Sequence, residues 1–231
     1  MDGSENKRRL ALAMCLFLLG LSGCKGGGLW TGSGLFGKAS DEVPGIMSPP
    51  ERTAAIRKMA QEARGPDAQE ALARKFAALY PREGDPLIRA ELVRAVSPLR
   101  CPTAGTLLRE ATKDNDADVR IDACKGLEGQ VGPETTAALA EVLASDTDPD
   151  VRLTAARALG QTRDPAAVSA LGSALEDQDP AMQYRAVSSL RKVAPQDLGD
   201  DVDRWRQYVK GQPPSPPKPV SLAEQIRRML Y

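Results

Sequence analysis

A period of about 31 residues runs through the middle of the chain and constrains its fold more than any other feature. The blocks PLIRAELVRAV from Pro86, ADVRIDACKGL from Ala117, PDVRLTAARAL from Pro149 and PAMQYRAVSSL from Pro180 align without gaps, and their starts are 31, 32 and 31 residues apart. Repetition at this length marks a stacked array, in which each unit buries its apolar face only against its neighbours. A weaker copy, PPERTAAIRKM from Pro49, places Arg52, Ala55, Ile56, Arg57 and Met59 where Arg152, Ala155, Ala156, Arg157 and Leu159 stand. Its repeat is 37 residues long, which predicts a short insertion around RGPDAQ, residues 64–69.

Each block has helical spacing. Val151, Ala155, Ala156 and Leu159 fall at i, i+4, i+5 and i+8, one face of a helix. After a turn, a second amphipathic segment carries Val168, Leu171 and Leu175, or Leu139 and Leu143 one copy earlier. Proline at positions 86, 149, 165 and 180 suits the first turn of a helix, where its missing N–H costs nothing. Asp85, Asp148, Asp164 and Asp179 precede these prolines as predicted N-caps. The middle of the chain is rich in Ala, Leu, Glu and Arg, all good helix formers. The reading is an all-α fold, an α-solenoid of about five helical hairpins over residues 49–211.

DPDVRLTAARALGQTRDPAAVSALGSAL and its echo DADVRIDACKGLEGQVGPETTAALAEVL resemble the short bacterial HEAT repeats, also called PBS-lyase HEAT-like repeats. The resemblance spans about residues 49–209 and is strongest over 117–175. It implies a right-handed solenoid with a concave surface used for protein contacts, and it implies no single activity. It also implies a role for the recurrent Arg89, Arg120 and Arg152, which in such repeats pair with an aspartate of a neighbouring turn; a basic binding ladder is the alternative. In the last copy Trp205 and Tyr208 replace small residues, either as an aromatic cap or as part of a binding surface.

Upstream of the repeats, Lys7, Arg8 and Arg9 precede the apolar run LALAMCLFLLGL, residues 10–21, in the layout of a secretory signal. Twelve helical residues reach only about 18 Å, short of a hydrocarbon core. The run closes in Leu21, Ser22, Gly23 and Cys24, which resemble the lipobox of bacterial lipoproteins. The resemblance implies cleavage before Cys24, a diacylglycerol on its thiol and acylation of the new amino group, enough acyl chain for stable anchoring. Residues 1–23 then form the signal peptide and 24–48 a Gly, Ser and Pro-rich tether. That tether spans on average about 25 to 30 Å. Lys25 after the cysteine points to a cell-envelope protein of the outer rather than the inner membrane, facing the periplasm. Leu29, Trp30, Leu35 and Phe36 are apolar for an inert tether, suited to lipid headgroups or to the folded domain.

At the other end, QPPSPPKPV, residues 212–220, reads as a Pro-rich linker. Residues 221–231, SLAEQIRRMLY, open with a capping box, Ser221 and Glu224, and place Leu222, Ile226, Met229 and Leu230 on one helical face. So short a helix is marginal alone and is expected to dock, on this solenoid or on a partner.

The chemistry open to the chain is narrow. It contains no histidine, which removes Ser-His-Asp, Cys-His and HExxH sites together with the commonest metal ligand. Its 31 basic and 31 acidic residues cancel, and aromatic residues are only 4%, so neither a net field nor a stacking platform recruits nucleic acid. DNDAD and DTDPD resemble the start of a calcium loop, but Val119 and Val151 stand where an EF-hand needs glycine, and Lys125 and Arg157 where it needs glutamate. Helix capping explains those aspartates better. Export permits a disulfide between Cys101 and Cys124, while the place of Cys124, where other copies have Ala156 and Val187, suits a small core residue.

No catalytic, cofactor or metal residue is therefore expected, and no small-molecule substrate. HEAT-like hydroxylases need His-Glu pairs that this chain lacks, and a lyase-related enzyme is the remaining catalytic alternative. The expected function is a non-enzymatic, membrane-anchored scaffold with a protein partner, and a purely structural envelope spacer is the other alternative.

Overall fold

The computed structural model describes residues 47–216. The signal peptide, lipobox, Cys24 and most of the tether lie outside them, as do Leu222, Ile226, Met229 and Leu230 of the C-terminal segment. Ten α-helices run α1 Pro49–Glu62, α2 Pro66–Leu79, α3 Pro86–Val96, α4 Pro102–Ala111, α5 Ala117–Leu127, α6 Pro133–Ser145, α7 Pro149–Leu159, α8 Ala166–Ala174, α9 Pro180–Val193 and α10 Val202–Val209. A 3₁₀ turn at Tyr80–Arg82 follows α2, and no strand occurs among the described residues.

The helices pair into five hairpins that stack in order. The leading helices α1, α3, α5, α7 and α9 pack each on the next, and the trailing helices α2, α4, α6, α8 and α10 do the same beside them. Each trailing helix but the last also packs against the leading helix of the following hairpin, α2 on α3 least. The chain is therefore all-α, an α-solenoid in which no hairpin has a core of its own.

The repeated apolar positions are what the stack buries. Val119, Ala123, Cys124 and Leu127 of α5 and Val151, Ala155, Ala156 and Leu159 of α7 have no exposed surface. Small residues set how closely the hairpins approach. A Cβ on Gly160 would lie 2.8 Å from Ser189 Cβ and 2.9 Å from its Cα, so the end of α7 rests on the α9 backbone.

Capping follows the sequence pattern. Asp85, Asp116, Asp148, Asp179 and Asp201 are N-caps whose carboxylates accept backbone N–H bonds of the first turn. Two details differ from expectation. Helix α8 starts at Ala166 with Pro165 at its N-cap, and Asp164 accepts from Ala166 N at 2.9 Å. The extra length of the first repeat is not inserted at residues 64–69: α1 and α2 have 14 residues each, and the 3₁₀ turn adds three.

Cys101 and Cys124 carry free thiols, so the disulfide alternative is not realised. Cys124 occupies the core position that the repeat assigned to it, and burial pushes its thiol up to about 12. No described helix is long and apolar enough to cross a membrane.

Candidate protein interaction surface

The recurrent arginines form an internal ladder along the turns that join successive hairpins. Arg89 meets Asp114 through two parallel bonds, Nε to Oδ2 and Nη2 to Oδ1, each 2.8 Å. Arg120 meets Asp146 in the same way, at 2.7 and 3.0 Å. Each guanidinium also reaches back to the preceding turn: Arg89 Nη1 donates to the carbonyls of Glu83 and Gly84, and Arg120 Nη1 to those of Asp114 and Asn115. One arginine therefore ties the turn before its hairpin to the turn after it. Bidentate geometry of this kind is the strongest form of carboxylate pairing.

The aspartates do two jobs at once. Asp114 and Asp146 accept the N–H of Asp116 and Asp148, which in turn cap α5 and α7. Tyr80, buried at the end of α2, donates its hydroxyl to Asp114 as well. Burial by itself would raise Asp114, but the bonds from Arg89 and Tyr80 outweigh it and hold the carboxyl below the usual aspartate value of 3.8. Asp146 is lowered in the same way, burial being outweighed chiefly by the bond from Arg120. Every second aspartate of DNDAD and DTDPD is thus a cap, and every first one a ladder rung. No group of three or more His, Cys, Asp or Glu suited to a metal ion occurs among the described residues.

The ladder changes toward its ends. At the first hairpin Arg52 pairs with Glu83 in place of an aspartate. Arg152 makes a single bond to Asp177, at 3.2 Å, and in the last hairpin Gln183 keeps only the carbonyl bond, Nε2 to Asp177 O at 2.6 Å. Arg89 and Arg120 are only 16% and 14% exposed at their side chains, so little of either faces outward.

Of the remaining sequence candidates, Trp205 lies entirely in the core, and its Nε1 donates to Gly199 O at 2.8 Å. Tyr208 packs edge-on against it, ring centroids 5.8 Å apart and planes at 90°. As a candidate surface residue Trp205 is corrected by its burial. It closes the last described hairpin, where α10 covers the apolar faces of α8 and α9 and no further hairpin follows among the described residues. Arg206 Nη2 adds a bond to Leu175 O, and Arg204 holds Leu198 O and Ser215 O, so residues 211–216 fold back along α10.

Two of the exposed large apolar side chains, Leu87 and Tyr184, lie on the leading helices. Position 5 of the repeat block holds Ala90, which is buried, Ile121 and Leu153, which are partly buried against the core, and Tyr184, which is exposed, on α3, α5, α7 and α9. Leu87, one turn before Ala90, is 68% exposed, and so is Tyr184. Between α3 and α5 the face opens into a groove of about 270 Å³ lined by Leu87, Ala90 and Ile121, with Arg94, Asp122 and Lys125 along it. Those charges form a second network on the same face: Glu91 accepts from Arg57 and Arg94, and Arg94 donates to Asp122 at 2.7 Å. Sequence reading missed this stripe. The aligned blocks carry little signal for it, since of Ala90, Ile121, Leu153 and Tyr184 at position 5 only Tyr184 is exposed.

Residues 136–203 match the model of the HEAT repeat family, so the chain carries HEAT-type repeats. Human deoxyhypusine hydroxylase in complex with glycerol superposes with a TM-score of 0.49 and 23% identity, over 54% of this chain and 44% of its own. This chain therefore spans less than half the length of that enzyme. The CpcE–CpcF complex of phycocyanin lyase from Nostoc gives 0.46 and 20%, over 69% and 97% of the two chains. A designed armadillo repeat protein in complex with the peptide (KR)4 gives 0.46 and 12%, over 68% and 80%. Among curated proteins nothing matches the sequence.

Proposed function

We propose that this protein is a non-enzymatic scaffold of the bacterial cell envelope, anchored through a lipid on Cys24, that holds a protein partner on the outer face of its leading helices. One observation carries the contact face: Leu87 on α3 and Tyr184 on α9 are exposed apolar side chains on the leading helices, with Ile121 of α5 and Leu153 of α7 partly buried between them. Apolar anchors set among charged neighbours are the usual anatomy of a protein-binding surface. The arginine ladder supports the same assignment indirectly, since its guanidinium groups are engaged within the fold. The anchor reading rests on the sequence Leu21-Ser22-Gly23-Cys24 after a short apolar run. A tethered solenoid raises its effective concentration at one membrane surface without any added contact. The non-enzymatic reading rests on the absence of histidine from the sequence.

A photocrosslinking residue placed at 87 or 184 in the full chain, in native membranes, tests the face. Both positions should capture the same protein, and position 137 on the trailing helix α6 should not. Equal capture from all three positions would remove the assignment. Cys24→Ala should move the protein to the soluble fraction, and undiminished membrane retention would sink the lipoprotein reading.

A further inference from the structure

The groove between α3 and α5 bears opposite charges at its two ends. It opens where the repeat changes size: at the fifth place of the block, where later copies carry Ile121, Leu153 and Tyr184, α3 carries the small Ala90. Leu87 and Ile121 stand beside the space of about 270 Å³ that this leaves. Asp116 and Asp118 stand where α5 begins and Lys125 near where it ends, so the acidic and basic groups lie about 10–13 Å apart along one wall. Arg94 joins the basic end, since it and Lys125 both bond Asp122.

These charges are open to a partner. Asp118 is exposed and has no ion pair among the described residues, and Arg94 and Lys125 keep about half of their side-chain surface exposed. A helix, about 10–12 Å across, is too wide to sink into so small a space. An extended chain is not, and its alternate side chains share one face. The first, third and fifth residues of such a chain span about 13 Å, which matches the separation of the two charged ends.

We propose that this groove takes an extended segment of the partner protein whose first, third and fifth residues are basic, apolar and acidic, in either order along the chain. The basic residue meets Asp116 and Asp118, the apolar one fills the space over Ala90, and the acidic one meets Arg94 and Lys125. Opposite charges at the two ends orient the segment, because turning it around brings like charges together. The site rests on the leading helices being the contact face, and it narrows the partner to one side-chain pattern.

The test places a photocrosslinking residue at Leu87 in the full chain, in native membranes, and identifies the captured segment by mass spectrometry. The expected adduct lies on a segment with a basic, an apolar and an acidic residue at alternate places. Asp118→Lys combined with Lys125→Glu should lower its yield by about tenfold or more, while the chain stays folded by its thermal midpoint. Asp67→Lys combined with Lys192→Glu, an equal exchange of exposed charges away from the groove, should leave the yield as it is. An adduct on a segment without the pattern, a yield that survives the exchange at 118 and 125, or an equal loss in the control pair would each overturn the proposal. Capture from position 184 but not from 87 would overturn it too. Capture from neither position would instead remove the contact face on which it rests.

Discussion

The first and last hairpins are built from the same repeat, yet one is open and the other closed. At the C-terminal end Trp205 is fully buried, Tyr208 braces it, and Arg204 and Arg206 pin α10 to the carbonyls of Leu198, Ser215 and Leu175. At the N-terminal end α1 buries only Ile56 and leaves an apolar groove. A stacked array has two terminal faces and no neighbour for either, so each must be finished by special residues or left for a partner. Among the described residues such finishing is seen at the C-terminal end, and the middle is held by rungs that need neither end. Three zones of different stability follow.

The largest expected effect comes from opening the closed end. Trp205→Ala removes the biggest buried side chain of the last hairpin and should cost about 3–5 kcal/mol, read as a lowered midpoint in thermal or urea unfolding. A smaller loss, of about 2–3 kcal/mol, is expected for Arg120→Ala, which strands the Asp146 carboxylate and two turn carbonyls. Arg152→Ala, whose rung is a single bond of 3.2 Å, should cost about 1 kcal/mol or less. Equal losses at positions 120 and 152 would show that the rungs do not differ as their geometry says.

Acid should weaken the rungs in a defined window. Asp114 and Asp146 are lowered below 3.8 in the folded protein, so their contribution is complete at neutral pH and down to about pH 5. It is lost as pH falls through their folded values, where the carboxylates take up protons. The unfolding midpoint of the wild type should therefore drop more steeply below about pH 4 than that of Arg120→Ala, whose rung is already broken. Parallel curves would count against the ladder as a source of stability.

At the open end the effects should be local. Hydrogen exchange should show α1 exchanging faster than α5 and α7, since a helix with one buried side chain opens at lower free energy than the core of the stack. Uniform protection from α1 to α9 would mean that the groove is already covered.

The fold was largely legible because stacking writes itself into sequence as a period. Identical spacing forces Val119 and Val151, or Ala123 and Ala155, into equivalent places, and the aspartates before Pro86, Pro149 and Pro180 cap the helices that follow. The site was less legible. Arg89 and Arg120 recur because the turns recur, so recurrence marked a structural rung and drew attention away from the outer face. Leu87, Ile121, Leu153 and Tyr184 share neither one repeat position nor one residue type, and only the placement of the core shows which of them are exposed. Trp205 was ambiguous for another reason. A large aromatic in a terminal repeat serves equally as cap or as contact, and burial alone separates the two. The groove at Met47 and Leu79 had no local signature, because it is formed where no earlier hairpin packs on α1 among the described residues.

The separation of a structural ladder from a working face can be tested by one paired measurement: thermal midpoint and partner capture, from a crosslinker at position 87, in Tyr184→Asp and in Arg120→Ala. The account predicts that Tyr184→Asp loses most of the capture with its midpoint unchanged, while Arg120→Ala lowers the midpoint and still captures the partner at temperatures where it is folded. Loss of capture in folded Arg120→Ala, with full capture retained by Tyr184→Asp, would contradict it.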